Sequence, residues 1–266
     1  MKKVLQYKSS QIAYYVYGSG ANVVFCFHGY GLTGESFAVL QQVLQADFTL
    51  ICLDFPFHGA TNWQEGDSFT DKNLWEIINQ INPNANVSFS LMGYSMGGRI
   101  ALQLLQDHPK SIKQVALIAP DGLKFNWWQE IATQTAIGNQ LFKFTMRHPQ
   151  WLFAFIKVAS LLHLINKTRE KFTLAYISEE QERQLLYKRW CTMRAFKPRL
   201  SLLRQCIEQY KIPVNLLFGE YDKIITTSQG LAFKKQEPLI SIRVLKCGHQ
   251  ILKEKYVEDV AALLGK

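Results

Sequence analysis

Val87-Ser88-Phe89-Ser90-Leu91-Met92-Gly93-Tyr94-Ser95-Met96-Gly97-Gly98-Arg99-Ile100 is the stretch on which the fold is decided. Its first half, Val87 to Met92, is an apolar run of strand length. Its second half opens a helical pattern, Met96 to Gln106, that Asp107-His108-Pro109 closes. Between them stands Gly-x-Ser-x-Gly, so the segment spells strand, tight turn, helix. Such a turn raises the Ser95 hydroxyl at the carboxyl end of the strand in a strained conformation. The neighbours must then be small, and Gly93, Gly97 and Gly98 give that clearance.

Outward from this segment, further β-rich runs recur at Ile12–Tyr17, Val23–His28, Phe48–Asp54, Gln114–Ala119, Val214–Gly219 and Ser241–Leu245. Several are nearly continuous in apolar residues, and helix-period segments such as Phe37–Leu44 and Ile100–Leu105 separate them. Strands buried on both faces of a parallel sheet read this way. The predicted class is therefore α/β, with helices layered on a mostly parallel sheet. The alternation stops after Ala119-Pro120-Asp121-Gly122 and resumes at Ile212-Pro213-Val214. Residues 1–120 and 212–266 are expected to form the core, and 121–211 a helical insertion. The insertion holds Trp127, Trp128, Trp151 and Trp190, with helical periodicity in Leu152, Phe155, Ile156, Ala159 and Leu162.

A serine hydroxyl is a poor nucleophile until a base removes its proton, so an acid and a histidine are sought downstream. Asp222 follows the Val214–Gly219 run and His249 follows Ser241–Leu245. Both fall on loops leaving the carboxyl ends of strands, the edge on which open α/β sheets place their sites. Asp121 also lies at a strand end and is the rival acid, while Asp54 is read as structural. His108, His148 and His163 lie in helical surroundings. A tetrahedral oxyanion needs backbone donors; His28-Gly29-Tyr30-Gly31, after the Val23–Phe27 strand, points to the N–H groups of Tyr30 and Met96.

Composition sets the wider bounds. Of the 266 residues, 48% are hydrophobic and 19% charged, which is globular rather than disordered. Met1-Lys2-Lys3 runs into polar residues with no apolar leader. The greasiest stretch, Trp151–Ile165, carries Lys157 and His163 and is shorter than the roughly 20 residues a membrane span needs. A cytoplasmic protein without a membrane span is expected. Five cysteines form no CxxC pair and read as buried free thiols. The net charge of +9 is concentrated between Asp121 and Arg204, where fourteen Lys and Arg face six Asp and Glu. Charge confined to one insertion points to an anionic ligand or partner there. No nucleic-acid-binding module is present.

Taken together, His28-Gly29-Tyr30-Gly31, the Gly93–Gly98 turn, the late Asp222 and the late Gly248-His249 resemble the α/β-hydrolase superfamily across essentially the whole chain. The resemblance implies an eight-stranded, mostly parallel sheet, a helical cap after strand six, and neither metal nor organic cofactor. It implies a serine carboxylesterase in which Ser95 is nucleophile, His249 base and Asp222 the acid that orients it. Substrate contacts are expected from His28, Gly29, Tyr94, Arg99, Trp127, Trp151 and Phe155. Within the superfamily, the chain resembles the pimeloyl-acyl-carrier-protein methyl ester esterases, whose caps hold an acidic carrier through basic residues. Arg147, Lys157, Arg169, Lys188, Arg189, Arg194 and Arg199 would suit that partner. Tyr94 to Arg99 is also similar to the elbow of the menaquinone-pathway synthase that makes 2-succinyl-6-hydroxy-2,4-cyclohexadiene-1-carboxylate by eliminating pyruvate, which makes a lyase the alternative. A non-catalytic ligand receptor on the same fold is the third reading. Pro56-Phe57-His58-Gly59 departs from the Pro-Gly-His-Gly usual in both subfamilies.

Overall fold

The structure is a computed structural model that describes residues 1–82, 88–124, 126–161 and 177–266. Eight strands form one sheet: β1 Lys2–Tyr7, β2 Ser10–Tyr17, β3 Asn22–Phe27, β4 Phe48–Leu53, β5 Phe89–Tyr94, β6 Ile112–Ile118, β7 Val214–Gly219 and β8 Ile240–Leu245. Their spatial order is β1-β2-β4-β3-β5-β6-β7-β8. β1 and β2 run antiparallel to their neighbours, and all pairings from β4 to β8 are parallel.

The register explains why these strands read as solid apolar runs. Ile51, Phe25, Leu91, Val115, Val214 and Ile240 stand side by side across six parallel strands. All six are buried. A strand covered on both faces has no polar side to alternate with, and each fully buried side chain of this size contributes roughly 1.5–3 kcal/mol. β1 breaks the rule. Its first three residues are exposed and its sequence begins Lys2-Lys3, so this edge strand carries no apolar run to betray it.

Among the described residues the helices in chain order are α1 Gln41–Leu44, α2 Asp71–Ile81, α3 Met96–Asp107, α4 Trp127–Gln134, α5 Ala136–Arg147, α6 Gln150–Leu161, α7 Glu180–Thr192, α8 Leu200–Tyr210, α9 Thr227–Lys234 and α10 Val257–Ala261. α2 starts on a capping box: the Thr70 side chain accepts from Asn73 N–H while Asn73 Oδ1 accepts from Thr70 N–H. α3 buries Ile100, Ala101, Leu102, Leu104 and Leu105, anchoring the helix that follows Ser95. None of the described helices is long and apolar enough to cross a membrane.

Contacts divide the chain into two compact units. The first comprises Met1–Glu65, Thr70–Phe125 and Phe196–Lys266; the second comprises Gly66–Phe69 and Asn126–Ala195. The second is narrower than residues 121–211 because α8 packs with the first: Leu203 and Ile207 are buried, and Arg199 N–H donates to Gln106 Oε1 at 2.8 Å. The second unit has a core of its own, Met146, Ile156 and Ile177, with Phe142, Leu152, Phe153, Leu186 and Tyr187 packed against it. Arg183 is buried there and donates to the carbonyls of Met146, Ile177 and Ser178 at 3.0, 2.9 and 2.8 Å. Of the α6 periodicity, Ile156 and Ala159 face inward and Phe155 faces out. Leu162, His163, Ile165, Arg169 and Val87 lie outside the described residues.

Candidate active site

Ser95 stands between β5 and α3 with φ 50° and ψ −114°, a left-handed conformation that costs a non-glycine residue about 1–3 kcal/mol. The surroundings hold it there. Ser95 N–H donates to Ile118 O at 2.9 Å, and its carbonyl accepts from Gly98 N–H and Asp121 N–H at 2.9 and 2.8 Å. Only glycine fits two residues on, since a Cβ at position 97 would lie 1.8 Å from the Phe27 carbonyl oxygen. The strained turn is thus wedged directly onto the end of β3.

His249 Nε2 lies 3.0 Å from Ser95 Oγ, and His249 Nδ1 lies 2.6 Å from Asp222 Oδ2. A carboxylate can only accept, so Nδ1 carries the proton and Nε2 is the acceptor that faces the serine hydroxyl. The other carboxylate oxygen, Oδ1, accepts from the N–H groups of Ile224 and Ile225 at 2.8 and 3.0 Å. Burial pushes the Asp222 carboxyl up, but the His249 hydrogen bond and the two backbone donors outweigh it and hold the group below its ordinary value. The loops that carry Asp222 and His249 are laced together: Glu220 N–H donates to Leu245 O and Tyr221 N–H to Cys247 O.

Tyr94 was expected to contact substrate; it does a different job here. Its hydroxyl donates to the His249 carbonyl at 3.1 Å and its ring stacks on the imidazole at 5.7 Å. The β5 terminus therefore grips the His249 loop as well as leading into Ser95.

Gly29 lies against Ser95, since a Cβ there would sit 3.3 Å from both Ser95 Cβ and the Tyr94 ring. Leu32 N–H closes the following turn onto Gly29 O at 3.2 Å, with Tyr30 and Gly31 within the turn. Met96 N–H is among the first amides of α3, which have no intrahelical acceptor and gather the positive end of the helix dipole. The two backbone donors expected for an oxyanion thus belong to segments that flank the serine.

His28 is fully buried, and both ring nitrogens are engaged with the backbone: Nδ1 with Gly29 O at 2.7 Å and Nε2 with Phe55 N–H at 3.2 Å. One partner only accepts and the other only donates, so the ring is the neutral Nδ1–H tautomer. Its place is beneath the loop, not against a ligand. Asp54 completes the support. Its carboxylate accepts from Gly34 N–H at 2.7 Å and Ala60 N–H at 2.9 Å, tying the segment after β3 to the one after β4. Burial pushes the Asp54 carboxyl up, with the two amides opposing.

Arg99, expected to grip an anionic substrate, is paired with Asp121 at 2.8 Å. Asp121, the rival acid, is spent on Arg99 and on Gly122 N–H. Trp127, Trp151 and Phe155 belong to the second unit, where they are 50%, 46% and 61% exposed. Trp127 stacks on Trp128 at 3.8 Å. A cleft of about 500 Å³ opens beside His249, lined also by Gly248, Gln250, Lys253, Lys255 and Tyr256. Nothing in the sequence singled out the two lysines, because they follow the histidine in a loop with no motif. Among the described residues no cluster of His, Cys, Asp and Glu could hold a metal ion.

Comparison with known proteins agrees with this geometry. A family model described as the alpha/beta hydrolase fold matches residues 22–256. The human monoacylglycerol lipase ABHD6 is 20% identical over 243 residues, covering 87% of this chain and 71% of that protein. A pimeloyl-[acyl-carrier protein] methyl ester esterase of Salmonella agona is 28% identical over 110 residues, 41% of each chain. Among solved structures, the enol-lactonase of Burkholderia xenovorans matches with a TM-score of 0.66 at 16% identity, covering 99% of this chain and all of that one. The thioesterase domain of a curacin biosynthetic pathway matches at 0.63 and 19%, over 99% and 98% of the two chains.

Proposed function

The chain belongs to the α/β-hydrolase fold family, and from that premise we propose that it cleaves a carboxylic ester with an apolar acyl chain through an acyl-enzyme on Ser95. Its lipase and esterase relatives make it a serine ester hydrolase; the acyl chain, the leaving group and the residue roles are our reading. The observation that carries it is the relay from buried Asp222 through His249 to the strained Ser95, at 2.6 and 3.0 Å.

In this reading Ser95 Oγ attacks the ester carbonyl carbon as its proton passes to His249 Nε2. Asp222 keeps the proton on Nδ1 and stabilises the imidazolium. The amides of Tyr30 and Met96 hold the oxyanion of the tetrahedral intermediate, each worth about 3–4 kcal/mol in the transition state. Collapse expels the alcohol, which takes its proton from His249. A water then gives its proton to the same nitrogen, attacks the acyl-enzyme and regenerates Ser95.

An anionic group on the substrate, whether a short carboxylate tail or the surface of a carrier protein, is supported by Lys253 and Lys255 in the cleft that His249 lines. The methyl ester esterase relative acts on a carrier-bound ester, in keeping with that reading. We prefer ester cleavage to an elimination of the menaquinone type because the arginine that follows the Ser95 turn, Arg99, is paired with Asp121 at 2.8 Å.

The test is a panel of p-nitrophenyl esters of increasing acyl length, with and without a terminal carboxylate. Turnover abolished in Ser95→Ala supports the proposal. An inert wild type, or a variant as fast as wild type, defeats it.

A further inference from the structure

α5 and α6 turn apolar residues outward. Residues four and three apart share one face of a helix. On α5 that face holds Ile137, Leu141 and Phe144; on α6 it holds Trp151, Phe155 and Val158. All six are exposed, Ile137 by 82% and Phe155 by 61%. The opposite faces of the same helices bury Met146 and Ile156, so these stripes are not core residues displaced by loose packing. α4 adds the exposed pair Trp127 and Trp128, the latter 67% exposed.

The charge on α5 and α6 is one-sided, while α4 carries the half-buried Glu130. From residue 136 to residue 161 the sequence holds Lys143, Arg147 and Lys157 and no Asp or Glu. All three cations are exposed, and Lys143 and Lys157 stand beside the stripe residues Phe144 and Val158. Helices that pair an outward apolar stripe with Lys and Arg alone bind the boundary of an anionic lipid layer, with the stripe in the acyl region and the cations among the headgroups. Tryptophan suits that boundary because its ring is apolar and its N–H polar. A second copy of the chain would set these cations against like charges.

We infer that the outward faces of α4, α5 and α6 form a docking surface for an anionic lipid bilayer. The chain would lie on the bilayer rather than span it. Because the inference concerns binding, it stands apart from the ester-hydrolase reading and is tested without turnover.

The experiment is co-sedimentation of the whole chain with vesicles of phosphatidylcholine alone and of phosphatidylcholine with one-third phosphatidylglycerol. Each basic side chain near such a surface adds about fivefold in affinity. The expected result is binding to the anionic vesicles about tenfold or more tighter than to the neutral ones, with a blue shift of tryptophan fluorescence. Lys143→Ala with Arg147→Ala should weaken anionic binding on the order of 25-fold. Ile137→Ser, Leu141→Ser and Phe144→Ser together should remove it. These positions are exposed, so circular dichroism should show the fold unchanged in both variants. Failure to bind either vesicle, equal binding to both, or wild-type binding by the stripe variant overturns the inference. So does capture of acidic acyl carrier protein, lost in the stripe variant, when vesicles are ignored.

Discussion

The two units of this chain place their apolar residues in opposite ways. In the first, the sheet is lined row by row with buried side chains, and polar chemistry is confined to the loops at the carboxyl ends of the strands. In the second, a small core of Met146, Ile156 and Ile177 holds helices whose outer faces are also apolar. A sheet with covered faces can fix a nucleophile to tenths of an ångström because every residue around it is packed or hydrogen-bonded. Helices that leave Trp, Phe and Ile in water instead mark a surface that meets something else. Precision belongs to one unit and contact to the other.

That contrast can be broken most sharply at Ser95. Ser95→Ala should lower kcat on the order of 10⁴- to 10⁶-fold with the fold intact, as single-turnover assays and circular dichroism would register. Activity surviving at wild-type level would mean that the sheet edge is not where the chemistry lies.

Asp222→Asn comes next, with a loss of kcat of about 10⁴-fold, because the amide no longer dictates the His249 tautomer. It has a pH signature as well. The folded carboxyl lies below its ordinary value, so its contribution to stability is complete above the unfolded pKa of about 3.9 and is lost as pH falls through the folded one. The gap in Tm between wild type and variant should therefore be constant from neutral pH down to about 5 and close below about 4. A gap that instead opens on acidification would contradict the sign.

Arg183→Met probes the second unit alone. The variant removes the donors from the buried carbonyl bonds of Met146 and Ile177 and from the part-buried one of Ser178, and should cost about 2–4 kcal/mol. Hydrogen exchange should rise in α5, α6 and α7 while β3 and β5 keep their protection. Equal loss in both sets would erase the distinction drawn between the units.

Tyr94→Phe tests how closely the first unit is tuned. It removes one hydrogen bond to the His249 carbonyl, worth about 0.5–1.5 kcal/mol, and should lower kcat about 3- to 10-fold with KM unchanged. A pure stability role would leave kcat alone. Smallest of all, Lys253→Ala with Lys255→Ala should raise KM about 2- to 5-fold for an ester with an anionic tail and not for its neutral analogue.

Much of the candidate site was legible because its signals are local. Gly93 to Gly98 specify a strained strand-to-helix turn whatever surrounds it, Asp222 follows the buried apolar run of β7, and His249 follows β8, an edge strand in which Arg243 and Val244 are exposed. His28 and Arg99 were expected to touch substrate, and ring and guanidinium look alike in sequence whether they serve a ligand or a neighbour. The Phe55 amide and the Asp121 carboxylate that occupy them come from other strands' loops. β1 escaped notice because an exposed edge strand needs no apolar run.

The sequence by itself determined the elements and their kind, since periodicity and glycine placement act within a few residues through backbone sterics and side-chain burial. It singled out Ser95, Asp222 and His249 as the candidate reactive groups. Only the tertiary structure decided the strand order that carries residues 95, 222 and 249 to one place, the bond from Tyr94 to the base loop, and the outward turn of the Ile137 and Trp151 stripes. Those outcomes rest on pairings between distant segments, and an apolar residue does not record in its own neighbours which of its faces will find cover.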